Sequence, residues 1–352
     1  MMKQPQVNVR LVNSVYWLLL IVVVLVFLYA GRNLLIPLVV ALFIWYLVNV
    51  IAISYSSFSV FGKRLPKWLA FILSGTTILL LTQGLVNLIT GNVYQVVEVA
   101  PQYQENLVRQ FRALLENFSI EHSQALTEYF ANLELGGMLA MLVKSMANLI
   151  GNLGLISIYL LLLFIEQPYF MKKIERALMG NQGHDDVLAV FQAIDADIRT
   201  YIGVKTFTSF LTAAISFVIL SWTGLDFAEL WAVLIFVLNF IPNIGSIVAT
   251  ILPSLLALVQ FEPLTPFLVI FFGIGATQIV IGNILDPNLM GHRLNISPLV
   301  IVLSMLLWGF LWGVPGLFLG VPMMVILMIV LYHFEDTRWV AVLLSRDGRL
   351  RG

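Results

Sequence analysis

The chain runs to 352 residues, 60% hydrophobic and 11% charged, with 19 Lys and Arg set against 19 Asp and Glu and no cysteine. Soluble domains carry about 25% charged residues, so a soluble fold is excluded. Zero net charge leaves no basic field to attract nucleic acid, and the missing thiols exclude disulfides, thiolate metal sites and a cysteine nucleophile. The apolar runs are continuous, not alternating at period two, which predicts an all-α integral membrane protein and not a barrel.

In chain order, residues 14–30 and 34–53 are apolar runs joined by Gly31-Arg32-Asn33. They read as an antiparallel pair of spans, uncleaved because Leu28-Tyr29-Ala30 is a poor processing site. A third span over 69–89 carries Gln83 and Asn87 on one face, amides suited to bonding a neighbouring helix. Residues 1–90 thus form a three-span bundle. From 91 to 147 the character changes: Leu107, Phe111, Leu114 and Phe118 keep helical spacing among six acids and three bases, an acidic amphipathic insert. A fourth span over 149–165 ends at Glu166-Gln167-Pro168. An amphipathic helical stretch then completes 148–202, with Val187, Val190, Phe191, Ile194 and Ile198 on one face. Residues 203–335 hold the remaining membrane segments, and 336–352 form a basic tail. Basic clusters mark the cytoplasmic side, which places both termini inside and the insert 91–147 outside.

Two apolar segments are too long for one crossing. Residues 230–260 make about 46 Å of helix and residues 297–332 about 54 Å, against a hydrocarbon core of about 30 Å. Each is broken near its centre, the first at 241–246 around Pro242 and Gly245, the second at 312–316 around Gly313, Pro315 and Gly316. Re-entrant hairpins with their tips at those breaks fit the lengths. With plain spans over 203–223 and 266–283, the order is span, hairpin, span, hairpin, an inverted-repeat pattern, and the total is about eight membrane segments. The rival reading makes each broken segment one long kinked helix.

The run Phe240-Ile241-Pro242-Asn243-Ile244-Gly245, the pair Asp286-Pro287 with Gly291 and Leu294, Ser297-Pro298, and Trp308-Gly309 through Gly313-Val314-Pro315-Gly316 to Pro322 resemble the autoinducer-2 exporter family of bacterial membrane proteins. The resemblance covers nearly the whole chain. It implies a multispan transporter of the bacterial cytoplasmic membrane that exports a small furanosyl signal used in quorum sensing, assembled as a homo-oligomer, a pentamer. Other members of that family are linked to sodium or lithium exchange for protons.

A small polyhydroxylated solute needs hydrogen-bonding groups and little charge. Asn239, Asn243, Ser246 and Thr250 around the first tip, with Gln278 and Asn283 on the intervening span, supply them. Asn243 reads equally as a turn residue bonding its own backbone, and Gln278 and Asn283 as glue between helices. Pro242, Gly245, Gly313, Pro315 and Gly316 shape the tips. Asp286 reads either as a helix stop before Pro287 or as a protonatable coupling site, with His292 and Arg293 as partners. Tyr201 and Lys205 read as side chains snorkelling to the interface, and Glu166 as a span terminus. No His-Glu-x-x-His, Gly-x-Ser-x-Gly or phosphate-cradling loop is present, so no catalytic residue, metal or cofactor is assigned. The functions carried forward are export of a small polar solute, sodium or lithium/proton antiport, and a membrane scaffold.

Overall fold

The computed structural model describes residues 9–57, 59–60, 63–117, 151–178, 184–290, 295–333 and 337–348. These form α1 (Val9–Ala30), α2 (Arg32–Ser57), α3 (Lys67–Asn117), α4 (Leu153–Leu178), α5 (His184–Thr223), α6 (Ala228–Leu238), α7 (Ile244–Gln260), α8 (Thr265–Met290), α9 (Pro298–Trp312), α10 (Val314–His333) and α11 (Arg338–Leu344). A two-residue β-ladder pairs Ser59–Val60 with Lys63–Arg64. Six helices among the described residues are long and apolar enough to cross a membrane: Arg32–Ser56, Trp68–Leu88, Leu153–Ala177, Val187–Thr223, Thr265–Met290 and Val314–Tyr332. Large apolar side chains such as Leu79, Leu80, Trp222 and Phe310 point outward, where a lipid surround replaces water.

Helices run on where the sequence suggested junctions. The 51-residue α3, about 76 Å long, carries the third span straight into the amphipathic insert, and the 40-residue α5, about 60 Å long, fuses the second amphipathic stretch with the fifth span. The boundaries expected at 90/91 and 202/203 therefore fall inside helices, while 118–147 of the insert lies outside the described residues. The fourth span does not stop at Pro168. Its helix continues to Leu178, and Glu166 pairs on the surface with Lys173, one to two turns further along.

Gly31 does not reverse the chain. Its N–H donates to Phe27 O at 2.8 Å and its carbonyl accepts from Leu35 N–H at 2.9 Å, so helical bonding passes through it. The α1–α2 junction continues the helical path instead of making the expected antiparallel turn, with Trp312 Nε1 donating to Leu28 O at 3.0 Å beside it. The Gln83 amide donates along its own helix to Asn87 at 3.0 Å. A closed polar clasp joins α2 to α4. Trp45 Nε1 donates to Gln167 Oε1, Gln167 Nε2 donates to Asn49 Oδ1, both at 2.9 Å, and Asn49 Nδ2 donates to Trp45 O at 2.7 Å.

Both broken segments fold back on themselves, which excludes the kinked-helix alternative. In the first, Asp226 N–H donates to Gln260 Oε1 at 2.8 Å and Gln260 Nε2 donates to Gly224 O at 2.9 Å, so the ends of the α6–α7 pair meet. Residues 224–226 and 260 would lie on the order of 50 Å apart in a straight helix. In the second, Ser304 Oγ donates to Gly320 O at 2.7 Å, and a Cβ at Gly309 would meet the Leu317 side chain at 2.7 Å, an antiparallel pairing of α9 and α10. The pair is closed at its base by the C-terminal segment. Ser297 N–H donates to Leu344 O at 3.0 Å and Arg346 N–H to Asn295 O at 3.2 Å. The halves are unequal, however: α10 has 20 residues and is itself long enough to cross, where two short arms were expected.

Candidate translocation site

The two hairpins meet at their tips. Phe240 lies 4.7 Å from Phe318 of α10, centroid to centroid, and Phe43 of α2 packs edge-on against both, at 5.5 and 4.9 Å. Phe240 is 2% exposed, so this aromatic contact is a sealed junction.

Beside it, α5 presents a buried polar stripe. Tyr201, Lys205, Thr208, Ser209, Thr212 and Ser216 recur at helical spacing and are all buried, Thr208 to Ser216 without measurable exposure. Some of these hydroxyls are spent locally, as in Thr212 Oγ1 donating to Thr208 O at 2.8 Å. Others reach across: Asn239, at the end of α6, donates from Nδ2 to Ser209 Oγ at 3.0 Å. Several buried polar atoms have no partner among the described residues, namely Tyr201 Oη, Thr206 Oγ1, Ser216 Oγ, Trp231 Nε1, Gln278 Nε2 and Asp286 Oδ1. A buried polar atom left unbonded costs about 1–3 kcal/mol, so a row of them marks a place built for something else to bind.

The charged centre of the stripe is an ion pair, with Lys205 Nζ donating to Asp286 Oδ2 at 2.7 Å and the two side chains only 9% and 11% exposed. Asp286 reaches this position through a local change in helix winding. Pro287 has no N–H, and its ring would clash with the carbonyl four residues back. The helix answers with a π-helical turn over Ile281–Leu285, closed by Asp286 N–H donating to Ile281 O, and then resumes to Met290. Such a turn shifts every later side chain around the axis. Asp286 is thus not a helix stop, and its buried partner is Lys205 from α5; His292 and Arg293 lie outside the described residues. Lys205 and Tyr201 do not snorkel. Both are buried.

The remaining sequence candidates divide. Asn239, Gly245, Thr250, Gln278, Asp286 and Gly316 are buried, Ser246, Pro242 and Pro315 half-buried, and Asn243, Asn283 and Gly313 exposed. Thr250 donates to Ser246 O at 2.9 Å and in turn accepts Ser254 at 2.7 Å through its carbonyl, so its polar atoms serve α7 itself. Asn283 sits on the outward side of the π turn. Asn243 caps α7 with φ 58° and no side-chain capping bond. The sequence reading missed Thr208, Ser209, Thr212 and Ser216, although their helical period within an apolar span was there to be counted.

At the far end of the first hairpin, Tyr103 of the extended α3 donates to Asp226 Oδ2 at 2.7 Å. Burial, and then the bond to that carboxylate, push the phenol well above its ordinary range, so it stays a donor. The span helices, the paired broken segments and a buried charged stripe in an apolar bundle define a multi-pass helical membrane transporter. Residues 18–336 match the family model for AI-2E family transporters, and the chain belongs to that family. It is 28% identical to the AI-2 transport protein TqsA of Escherichia coli K12 over 98% of both chains. It is likewise 28% identical to a candidate transport protein of Haemophilus influenzae, over 97% of this chain and 98% of that one. A candidate transport protein of Borreliella burgdorferi is 32% identical over 68% of this chain and 65% of its own.

Proposed function

We propose that this protein exports a small polar solute, of the kind autoinducer-2 represents, across the bacterial cytoplasmic membrane. The path runs along the α5 stripe, between α8 and the tip of the first hairpin. The observation that carries this reading is the buried polar stripe from Tyr201 to Ser216, unpartnered at Tyr201 Oη and Ser216 Oγ and joined by the unpartnered Gln278 Nε2 and Asp286 Oδ1 of α8. In lipid-embedded protein an unsatisfied group is tolerated only where a cavity or ligand serves it. Family membership and the likeness to TqsA support the solute class. On this reading both hairpins are re-entrant and the C-terminal segment is cytoplasmic. The protomers assemble as a homo-oligomer, a pentamer in the reading the family resemblance suggests. Labelling of the N-terminal segment from either side of the membrane tests whether that end, too, is cytoplasmic.

The test is transport into inverted vesicles incubated in a pooled metabolite extract, with and without a proton gradient. The expected result is accumulation of a small polyhydroxylated solute that needs the protein and falls in Pro315→Ala and Gly245→Leu. Equal accumulation in vesicles lacking the protein sinks the proposal. A second reading, sodium or lithium/proton antiport, draws on the buried free oxygen of Asp286. It requires that adding sodium or lithium to acid-loaded vesicles move protons, and that Asp286→Asn abolish the movement.

A further inference from the structure

Among the described residues, Lys205 and Asp286 are the only Lys, Arg, Asp or Glu side chains buried in the protein, and they pair at 2.7 Å within the polar stripe. We infer that this pair sets the charge selectivity of the path, admitting solutes without net charge and rejecting free ions of either sign. The inference rests on the path proposed above and narrows its substrate to net-neutral molecules rich in hydroxyl or amide donors.

The reasoning is one of local balance. A cation entering beside Asp286 meets the Lys205 ammonium, an anion drawn to Lys205 meets the carboxylate, and either must break the pair to gain a partner. Breaking a buried pair exposes an uncompensated charge, which is strongly unfavourable. A neutral solute needs no such exchange. Asp286 Oδ1 is free to accept a donor from it, Tyr201 Oη can donate or accept, and Gln278 Nε2 can donate, while Lys205 stays on Oδ2. A ligand donor is required to use the open carboxylate oxygen of Asp286. The geometry also explains why α8 holds a π turn there: it carries Asp286 into register with Lys205, 81 positions away in the chain.

Removing one partner should convert the path into a weak ion path of predictable sign. In proteoliposomes, flux of a neutral probe (glycerol), a monovalent cation (ethylammonium) and a monovalent anion (lactate) is compared. Lys205→Gln should raise the cation-to-neutral flux ratio and Asp286→Asn the anion-to-neutral ratio. Each should rise by roughly tenfold or more, because an unpaired buried charge outweighs the 1.4 kcal/mol that a factor of ten represents. The absence of native cysteine gives a reversible form of the test. Lys205→Cys should gain the cation leak, and attaching an aminoethyl group through a disulfide should suppress it, a readout that a purely structural ion pair would not move. Equal ratios in wild type and both single variants overturn the inference. Wild-type protein that carries either ion within tenfold of glycerol overturns it without any variant. Wild-type protein that carries no neutral solute at all rejects the proposed path itself, a distinguishable failure.

Discussion

The two hairpins solve one backbone problem with different chemistry. Each brings a glycine against a carbonyl of its own other arm: a Cβ on Gly245 would lie 1.8 Å from Leu238 O, and one on Gly316 1.8 Å from Trp308 O. Beyond that they diverge. The α9–α10 pair is lined with small residues, Gly309, Gly316 and Gly320, which let the two helices approach along much of their length, and Ser304 Oγ donates across it to Gly320 O. The α6–α7 pair spends less contact on itself and turns its polar tip residue, Asn239, toward Ser209 of α5. One hairpin is a packed wedge; the other touches the polar stripe. Chemistry and rigidity have been separated between two halves of similar outline.

The shared feature gives the largest expected effect. Gly245→Ala and Gly316→Ala should each destabilise the protein by about 3 kcal/mol, the upper part of the overpacking range, because backbone and not a flexible side chain occupies the space. Thermal unfolding in detergent reads the loss, and Gly75→Ala, with nothing within 4 Å of its Cβ, should not reduce the midpoint. A large drop at only one of the two tips would break the parallel between the hairpins.

The divergent feature comes next. Asn239→Leu removes the amide that spans from the tip to α5 and leaves Ser209 buried, a cost of about 1–3 kcal/mol. It should lower neutral-solute flux at least tenfold. Ser304→Ala should cost about 0.6 kcal/mol, the average for an interhelical bond in a membrane, with flux nearly unchanged. Equal flux losses would show that the wedge, too, carries the path. The junction between the hairpins lies below this in size. A double-mutant cycle on Phe240→Ala and Phe318→Ala should give a coupling of about 1 kcal/mol, the value for an aromatic pair. Zero coupling would mean that the 4.7 Å contact does not tie the tips together.

How much of this was legible in the sequence follows the range of the physics involved. The fold-back points were readable, since proline removes an N–H and glycine permits close approach, both local facts at Pro242, Gly245, Pro315 and Gly316. The helical nature and the membrane setting were readable from composition. Gly31-Arg32-Asn33 misled because its residue types suit a turn, while apolar packing of Leu28 and Leu35 around Trp312 holds the chain helical. The same holds at Pro168, where the polar clasp of Gln167 on α2 keeps the backbone in place. Lys205 as the partner of Asp286 could not be read, because 81 residues separate them and the π turn shifts the face on which Asp286 emerges. The α5 stripe lay in between: its period was visible, but only burial distinguishes a polar lining from a solvated face.

The smallest expected effect separates the hairpins at the tips themselves. The second turns at Gly313, with φ 66° and ψ −140°, a region that side chains avoid, and nothing lies within 4 Å of its would-be Cβ. The first turns at Asn243, with φ 58° and ψ −61°, so a residue with a side chain sits where glycine would be unstrained. If backbone strain alone governed both positions, Gly313→Asn should cost about 1 kcal/mol and Asn243→Gly should gain roughly 0.5 kcal/mol, the relief being partly offset by the greater freedom of glycine in the unfolded chain. Asn243 is exposed and makes no capping bond, so removing its amide loses no contact seen at the tip. A gain in unfolding midpoint together with reduced flux in Asn243→Gly would show that the strained asparagine is retained for the solute. A gain with unchanged flux would leave Asn239 as the polar side chain of the first tip that acts on the path, and would deepen the contrast with the glycine turn of the wedge.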